Sequence, residues 1–454
     1  MRFKHFMKAP ELLAPAGTIK NMRYAFAYGA DAVYAGQPRY SLRVRNNDFT
    51  LKNLKTGIDE AHAQGKKLFV ASNLMPHNAK VDTYLRDMEP VIAMQPDALI
   101  MADPGLIMLV REKWPEMPIH LSVQANTVNH AAVKFWQSLG LERVILSREL
   151  SLDEIEDIRQ RCPEMELEVF VHGALCIAYS GRCLLSGYFN HRDPNQGTCT
   201  NACRWEYGMK TAEENETGDI QKIDFDPFKA MSEPGFSDCG ELKRHPLAER
   251  VYLIEEKNRP GEYMPIFEDE HGTYIMNSKD LRAVEHVERL VKIGVDSLKI
   301  EGRTKSHYYV ARTAQIYRQA IDDAAAGKPF NPELLGVLEN LANRGYTDGF
   351  YQRHHTAEHQ NYLTGYSKSN QQQFCGEIIG YDKERRMMEV DVKNRFSVGD
   401  ELEIILPQGN HRIKLEYMEN FYEQPMDVAP GGGYQVKIPW EDENVAMGLI
   451  TRLI

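Results

Sequence analysis

Cys176, Cys183, Cys199 and Cys203 crowd into residues 168–204, four of the seven cysteines in a chain of 454 residues. Converging thiols point first to a metal, because thiolate is the ligand form and soft ligands select zinc or iron–sulfur clusters. Cys199 and Cys203 have zinc-knuckle spacing. Cys176 and Cys183 have six residues between them and do not form the second short pair that a zinc ribbon uses. On the residues alone, zinc and iron–sulfur stand level. The rival chemistry is a thiol nucleophile: His172 lies close to Cys176 in sequence, and a thiolate–imidazole pair is a legitimate one. That reading leaves the other three thiols without a role. The chain also has no His-Glu-x-x-His and no Gly-x-Ser-x-Gly following a strand.

The elements that must position these groups follow from the apolar pattern. A strand over 166–171 leads into the cysteine stretch, first alternating charged and apolar residues and then wholly apolar, and breaks at Gly173. Similar short runs fall at 11–16, 32–35, 67–73, 98–103, 119–126, 143–150, 274–277 and 297–301, with helical patterns between them. Such regular alternation means a parallel sheet, and eight or so units suit a TIM-type (β/α) barrel better than an open sheet. The alternation lapses over about 206–276, where turns at 258–261 and 269–272 predict a hairpin-containing insertion. A polar linker at 367–373 precedes period-two strands, a small all-β barrel. Two domains are therefore expected, a TIM-type barrel over 1–366 and a β-barrel over 367–454.

Polar residues gather at the strand ends, among them Tyr34, Asn73, Asp103, Gln124, Arg148, His172, Glu301 and Arg303. In a barrel these mark the C-terminal rim, where active sites are built, though any one of them can simply cap a strand facing water. Lys299 and Glu301 alternate with apolar neighbours and both face the barrel interior, as a structural ion pair or as proton-transfer groups. His172 is placed to shuttle a proton near neutral pH, or to be a hydrogen-bonded structural histidine. Arg43 and Arg45 lie in a segment that mixes cations with an aromatic and amides, suited to phosphate or carboxylate contact unless it is only a solvated loop. A net charge of −11 argues mildly against nucleic acid, but local patches decide that question. The basic N-terminus lacks an apolar signal region and no run reaches the length of a membrane span, so a cytoplasmic protein is expected.

The centre stretch resembles the signature of the collagenase-like "peptidase" family of unassigned catalytic type. Glu168, Phe170, Gly173, Ala174, Leu175, Cys176, Gly181, Cys183, Leu185 and Ser186 fit it without a gap. Residues 11–17, 31–36, 39–45, 147–155, 277–281 and 298–306 are family-like too, so the likeness spans the whole first domain. Within the family the chain is most similar to members that hydroxylate tRNA. That resemblance implies an oxygen-independent hydroxylase with a 4Fe-4S cluster on Cys176, Cys183, Cys199 and Cys203. It implies prephenate as the oxygen source and 5-hydroxyuridine at the tRNA wobble position as the product. Other relatives hydroxylate ribosomal RNA or a quinone precursor, so the substrate does not follow from the signature. Some relatives take a cluster ligand where this chain has Arg282, which makes Cys203 the fourth ligand here, with Cys239 in reserve.

Prephenate carries carboxylates, and the arginine fork suits them, so Arg43, Arg45, Arg148 and Arg303 are the candidate anchors. The implied partners are tRNA and prephenate, with no membrane. The β domain is expected to hold tRNA through Lys393, Arg395, Arg412 and Lys414 beside Tyr417, Phe421 and Tyr422, or else only to buttress the barrel.

Overall fold

The computed structural model describes residues 8–37, 39–42, 48–175, 280–341, 346–352 and 372–454, together with the backbone of five short strands between 212 and 275. Strands β1 (Glu11–Pro15), β2 (Ala32–Gly36), β3 (Lys67–Ser72), β4 (Ala98–Met101), β5 (Ile119–Leu121), β6 (Arg143–Ile145) and β7 (Glu166–Ala174) pair in parallel, each with the next. Strand β8 (Asp280–Arg282) runs antiparallel to the end of β7, while β9 (Ser297–Ile300) pairs in parallel with both β7 and β1. That last pairing closes an eight-stranded parallel barrel, as the alternating pattern predicts.

Helices α1 (Ile19–Ala27), α2 (Leu51–Ala63), α3 (Asn78–Ala93), α4 (Pro104–Lys113), α5 (His130–Ser138) and α6 (Leu152–Arg161) follow the first six strands. Further on come α7 (Val287–Ile293) and α8 (His307–Ala325). Outward strand residues such as Leu12, Val33, Leu68 and Leu99 are fully buried under these helices. Several polar residues at strand ends serve as helix caps rather than as pocket lining. Asp103 accepts the Leu106 N–H at the start of α4, and Ser151 forms a reciprocal capping box with Glu154 at the start of α6.

The run expected as a barrel strand at 274–277 belongs elsewhere. Residues 272–275 pair antiparallel with 263–269, which pair in turn with 252–255, so this is a separate three-stranded sheet of hairpins. The ends of β7 and β8 pair across this part of the chain, where Ala174 faces Asp280; the expected insertion over about 206–276 lies, apart from the backbone of these short strands, outside the described residues.

The C-terminal domain is built on a seven-stranded antiparallel sheet, with a separate two-stranded pairing of 396–397 and 428–429. Its strands are β11 (Gln372–Asp382), β12 (Met387–Val392), β13 (Glu401–Leu406), β14 (Gly409–Lys414), β15 (Glu419–Asn420), β16 (Gln435–Pro439) and β17 (Leu449–Leu453), and β10 (Tyr346–Thr347) belongs to the barrel sheet. Phe396, Leu402, Ile404, Val436 and Ile450 are among its core residues. It docks on α1 and α8. Tyr28 donates to the Ile405 carbonyl at 2.9 Å, buried Arg312 pairs with Glu403 at 3.2 Å, and Tyr308 stacks on Phe374. His307 lies 2.9 Å from Glu377, which Lys20 also approaches, and hydrogen bonding to His307 pulls the Glu377 pKa down to about 2.

Candidate active site at the barrel mouth

Alternate residues of each strand point into the barrel, and on β1, β6, β7 and β9 they carry charge. Arg143 on β6 reaches Glu11 at 2.6 Å, Glu166 at 2.8 Å and Glu168 at 3.1 Å. Lys299 on β9 lies 2.8 Å from the other oxygen of Glu168, and neither side chain of that pair has appreciable exposure. Burial pulls the Lys299 pKa down, and the facing Glu168 carboxylate opposes that pull. His120, buried edge-on against Phe69, is held neutral first by burial and then by Arg143. These buried charges are satisfied by one another, as burial of ions requires.

Above them two rings organise the mouth. The Lys299 ammonium sits 4.4 Å from the Tyr34 ring centroid and 5.4 Å from that of Phe170. Each ring also carries an arginine: Arg148 at 3.9 Å from Phe170 and Arg303 at 5.6 Å from Tyr34. Both distances are within cation–π range. Glu301 completes the group, with Oε2 at 3.7 Å from Arg148 and 3.4 Å from the Tyr34 hydroxyl. Among the described residues, two guanidinium groups thus stand near the Glu301 carboxylate at the rim, with Lys299 matched to Glu168 below. Guanidinium forks of this kind suit an anionic ligand.

The chain after β2 is tied to this rim. Leu42 donates its N–H to Asn73 and accepts from Arg303 at 2.5 Å, and Asn73 donates in turn to Ser122. On the return side, Asp48 donates to the Gly17 carbonyl at 3.0 Å. Arg43 and Arg45 lie between these anchors, outside the described residues. Cys176, Cys183, Cys199, Cys203 and Cys239 also lie outside them. The strand that delivers Cys176 ends at this same rim, where the Ala174 carbonyl accepts from Arg148 at 2.9 Å. The two described cysteines are core thiols. Cys162 and Cys375 are both buried, and burial pushes the Cys375 thiol up to about 11.

His172 is not at the mouth. Strict alternation would point it inward with Glu168 and Phe170. The pairing of β7 with β9 slips by one residue at this point, Lys299 facing Phe170 and Ile300 facing His172, so Val171 is bulged and the imidazole turns outward. There it packs among the rings of Tyr309, Tyr317 and Tyr346. The Tyr317 hydroxyl donates to the Val171 carbonyl at 2.7 Å and faces His172 Nδ1 at 3.3 Å, so Nδ1 carries the proton and donates to it. Burial, then Lys305 and Arg282, hold the pKa down to about 3. A neutral, caged imidazole is a structural histidine, which corrects the proton-shuttle expectation. Arg282, at the position where some relatives were expected to place a ligand, pairs with Glu339 and lies over the Tyr346 ring.

Lys299 also differs from one expectation. It does face the interior, but its ion-pair partner is Glu168 rather than Glu301. In the sequence Tyr34 stands out only as a polar strand end, Glu168 and Phe170 only within the family-like stretch, and Arg143 not at all. The available signal was charge at alternate positions of strands whose other residues are all apolar. Among the described residues no group of three metal-binding side chains forms, and no helix is long and apolar enough to cross a membrane.

Comparison with known proteins adds the following. Residues 17–361 match the model of peptidase family U32, and residues 370–452 match that of the peptidase family U32 C-terminal domain. A protein of Escherichia coli (strain K12) named tRNA hydroxylation protein P is 64% identical over 433 residues, 95% of this chain and 94% of that protein. The protein of the same name in Haemophilus influenzae is 60% identical, over 98% of this chain and 96% of its own length. A Porphyromonas gingivalis protein named collagenase is 25% identical over 95% of each chain.

Proposed function

The chain belongs to peptidase family U32, and on that premise we propose that it is a tRNA hydroxylase. In this reading it converts wobble uridine to 5-hydroxyuridine without molecular oxygen, taking the oxygen from prephenate and using a 4Fe-4S cluster. The relatives named for tRNA hydroxylation support the reaction class, since each is aligned over nearly its whole length. The observation that supports the co-substrate is the pair of guanidinium groups at the barrel mouth, Arg148 on Phe170 and Arg303 on Tyr34. A ligand with two carboxylates matches two arginines, each fork donating to two oxygens. Arg43 and Arg45 are further candidates for the same task or for the RNA backbone.

The cluster would be held by Cys176, Cys183, Cys199 and Cys203. Their thiolates are the soft donor set that iron–sulfur clusters take, and the stretch that bears them begins at the rim beside Arg148. Cys162 and Cys375, buried and protonated, do not compete for that role. When bound, the cluster supplies electron-transfer and Lewis-acid chemistry. The chain's own residues do the rest. Arg148 and Arg303 orient the carboxylates, and Glu301, partly open to the mouth, is the group placed to hold or release a proton. Lys299 is committed to Glu168 and acts as the fixed base on which both rings rest.

A thiol peptidase is the other reading the family name raises. It needs an imidazole that can take a proton from Cys176, and His172 is caged on the outer side of the barrel wall with its basicity suppressed. No observation among the described residues favours that reading.

The test is modification mapping of total tRNA from cells lacking the gene, with and without complementation. Loss of wobble 5-hydroxyuridine derivatives, restored by the wild-type chain, is the expected result. Unchanged modification in the deletion strain overturns the proposal.

A further inference from the structure

The two arginines of the mouth are not held in the same way. Arg148 has its ring contact, a hydrogen bond to the Ala174 carbonyl and the Glu301 carboxylate nearby. Arg303 sits over Tyr34 and donates to the Leu42 carbonyl. Tyr34 is therefore the residue that links the two halves of the site. Its ring lies against both Lys299 and Arg303, and its hydroxyl reaches the Ile300 carbonyl at 3.0 Å and Glu301 Oε2 at 3.4 Å. The side chain is 4% exposed, so these contacts are made without competition from water.

We infer that Tyr34 is the positioning residue of the site: its ring fixes Arg303 for a ligand carboxylate, and its hydroxyl fixes Glu301 beside Arg148. The two functions are chemically separable. A ring without a hydroxyl keeps the cation platform, since the quadrupole of phenylalanine also attracts a guanidinium. It loses the hydrogen bond that restrains Glu301. An aliphatic side chain of similar size loses both. The inference rests on the carboxylate-binding reading above, and its own content is the division of labour within one side chain.

Tyr34→Phe and Tyr34→Leu separate these roles in the full-length, anaerobically purified protein with prephenate and tRNA. Tyr34→Leu should raise the prephenate KM about tenfold, the scale of a lost buried cation–π contact. Tyr34→Phe should return that KM to within about twofold of wild type while kcat falls several-fold, because Glu301 has lost one of its restraints and keeps Arg148. The KM for tRNA of Tyr34→Phe should stay at the wild-type value and its thermal midpoint should fall by a few degrees, because the Ile300 carbonyl loses its hydroxyl donor; a merely structural tyrosine would lower the midpoint without separating kcat from the prephenate KM. Wild-type protein that saturates with prephenate, with Tyr34→Leu saturating at the same concentration, overturns the assignment alone. Wild-type protein that does not saturate with prephenate overturns the co-substrate reading, and this assignment with it. If Tyr34→Leu fails to fold, Tyr34→Phe decides: an unchanged kcat refutes the part given to the hydroxyl, and a raised prephenate KM refutes the part given to the ring.

Discussion

The ammonium of Lys299 and the carboxylate of Glu168, 131 residues apart in the chain, meet at 2.8 Å inside the barrel. Glu168 also accepts from Arg143 at 3.1 Å, so one carboxylate serves two buried cations. Removing a single partner of a buried pair leaves an uncompensated charge, which costs roughly 3–5 kcal/mol. Glu168→Leu should therefore destabilise the protein more than Lys299→Met, because it strands Lys299 and takes one of the three carboxylates from Arg143, whereas Lys299→Met leaves a carboxylate that keeps Arg143. Denaturant unfolding of the two variants checks the order. Equal losses would mean that Arg143 is satisfied by Glu11 and Glu166 without help.

His172 gives a prediction in pH. Its folded pKa of about 3 lies below the ordinary value of 6.5, so between the two the unfolded chain binds the extra proton. Its contribution to stability is thus complete above about pH 6.5 and falls as pH drops toward 3, by at most about 1.4 kcal/mol per unit. The imidazole resonances of His172 should not titrate between pH 5 and 8. A midpoint near 6.5 would place the ring in water and contradict the tyrosine cage.

The thiols divide into two classes. Anaerobically purified protein should be brown with near-stoichiometric iron and sulfide, and Cys176→Ser and Cys183→Ser should lose that colour. Cys162→Ser and Cys375→Ser should keep it, since both thiols are buried in the two hydrophobic cores. Stoichiometric zinc without iron would refute the cluster.

The β domain is fixed to the barrel by buried contacts, so cutting it away would expose Tyr28 and Arg312 along with any RNA effect. Point variants are cleaner. Arg412 and Lys414 are exposed on β14, whereas Lys393 is engaged with Asp391 and Glu377. Arg412→Ala with Lys414→Ala should weaken tRNA binding and reduce its salt slope by up to about two, with no change in thermal midpoint. Unchanged affinity would leave the domain a buttress and put the RNA wholly on the barrel.

Much of this protein is legible in its sequence because the informative signals are local. Strand–helix alternation specifies a parallel barrel, since each strand's apolar run and each helix's stripe must be buried against the other. The polar strand ends share one end of the barrel for the same reason, since strand direction alone sends them there. The side-chain facing of His172 was not local. Period two predicts it inward, and one extra residue at Val171, visible only in the pairing of β7 with β9, turns it to the other side of the wall. The partner of Lys299 was not local either. Glu301 is two residues away along the strand, but Glu168 on the neighbouring strand is closer across the barrel. Sequence determines which residues can be charged and buried; strand register and barrel closure decide which of them meet, because an ion pair needs a few ångströms of proximity and the sheet alone sets that distance.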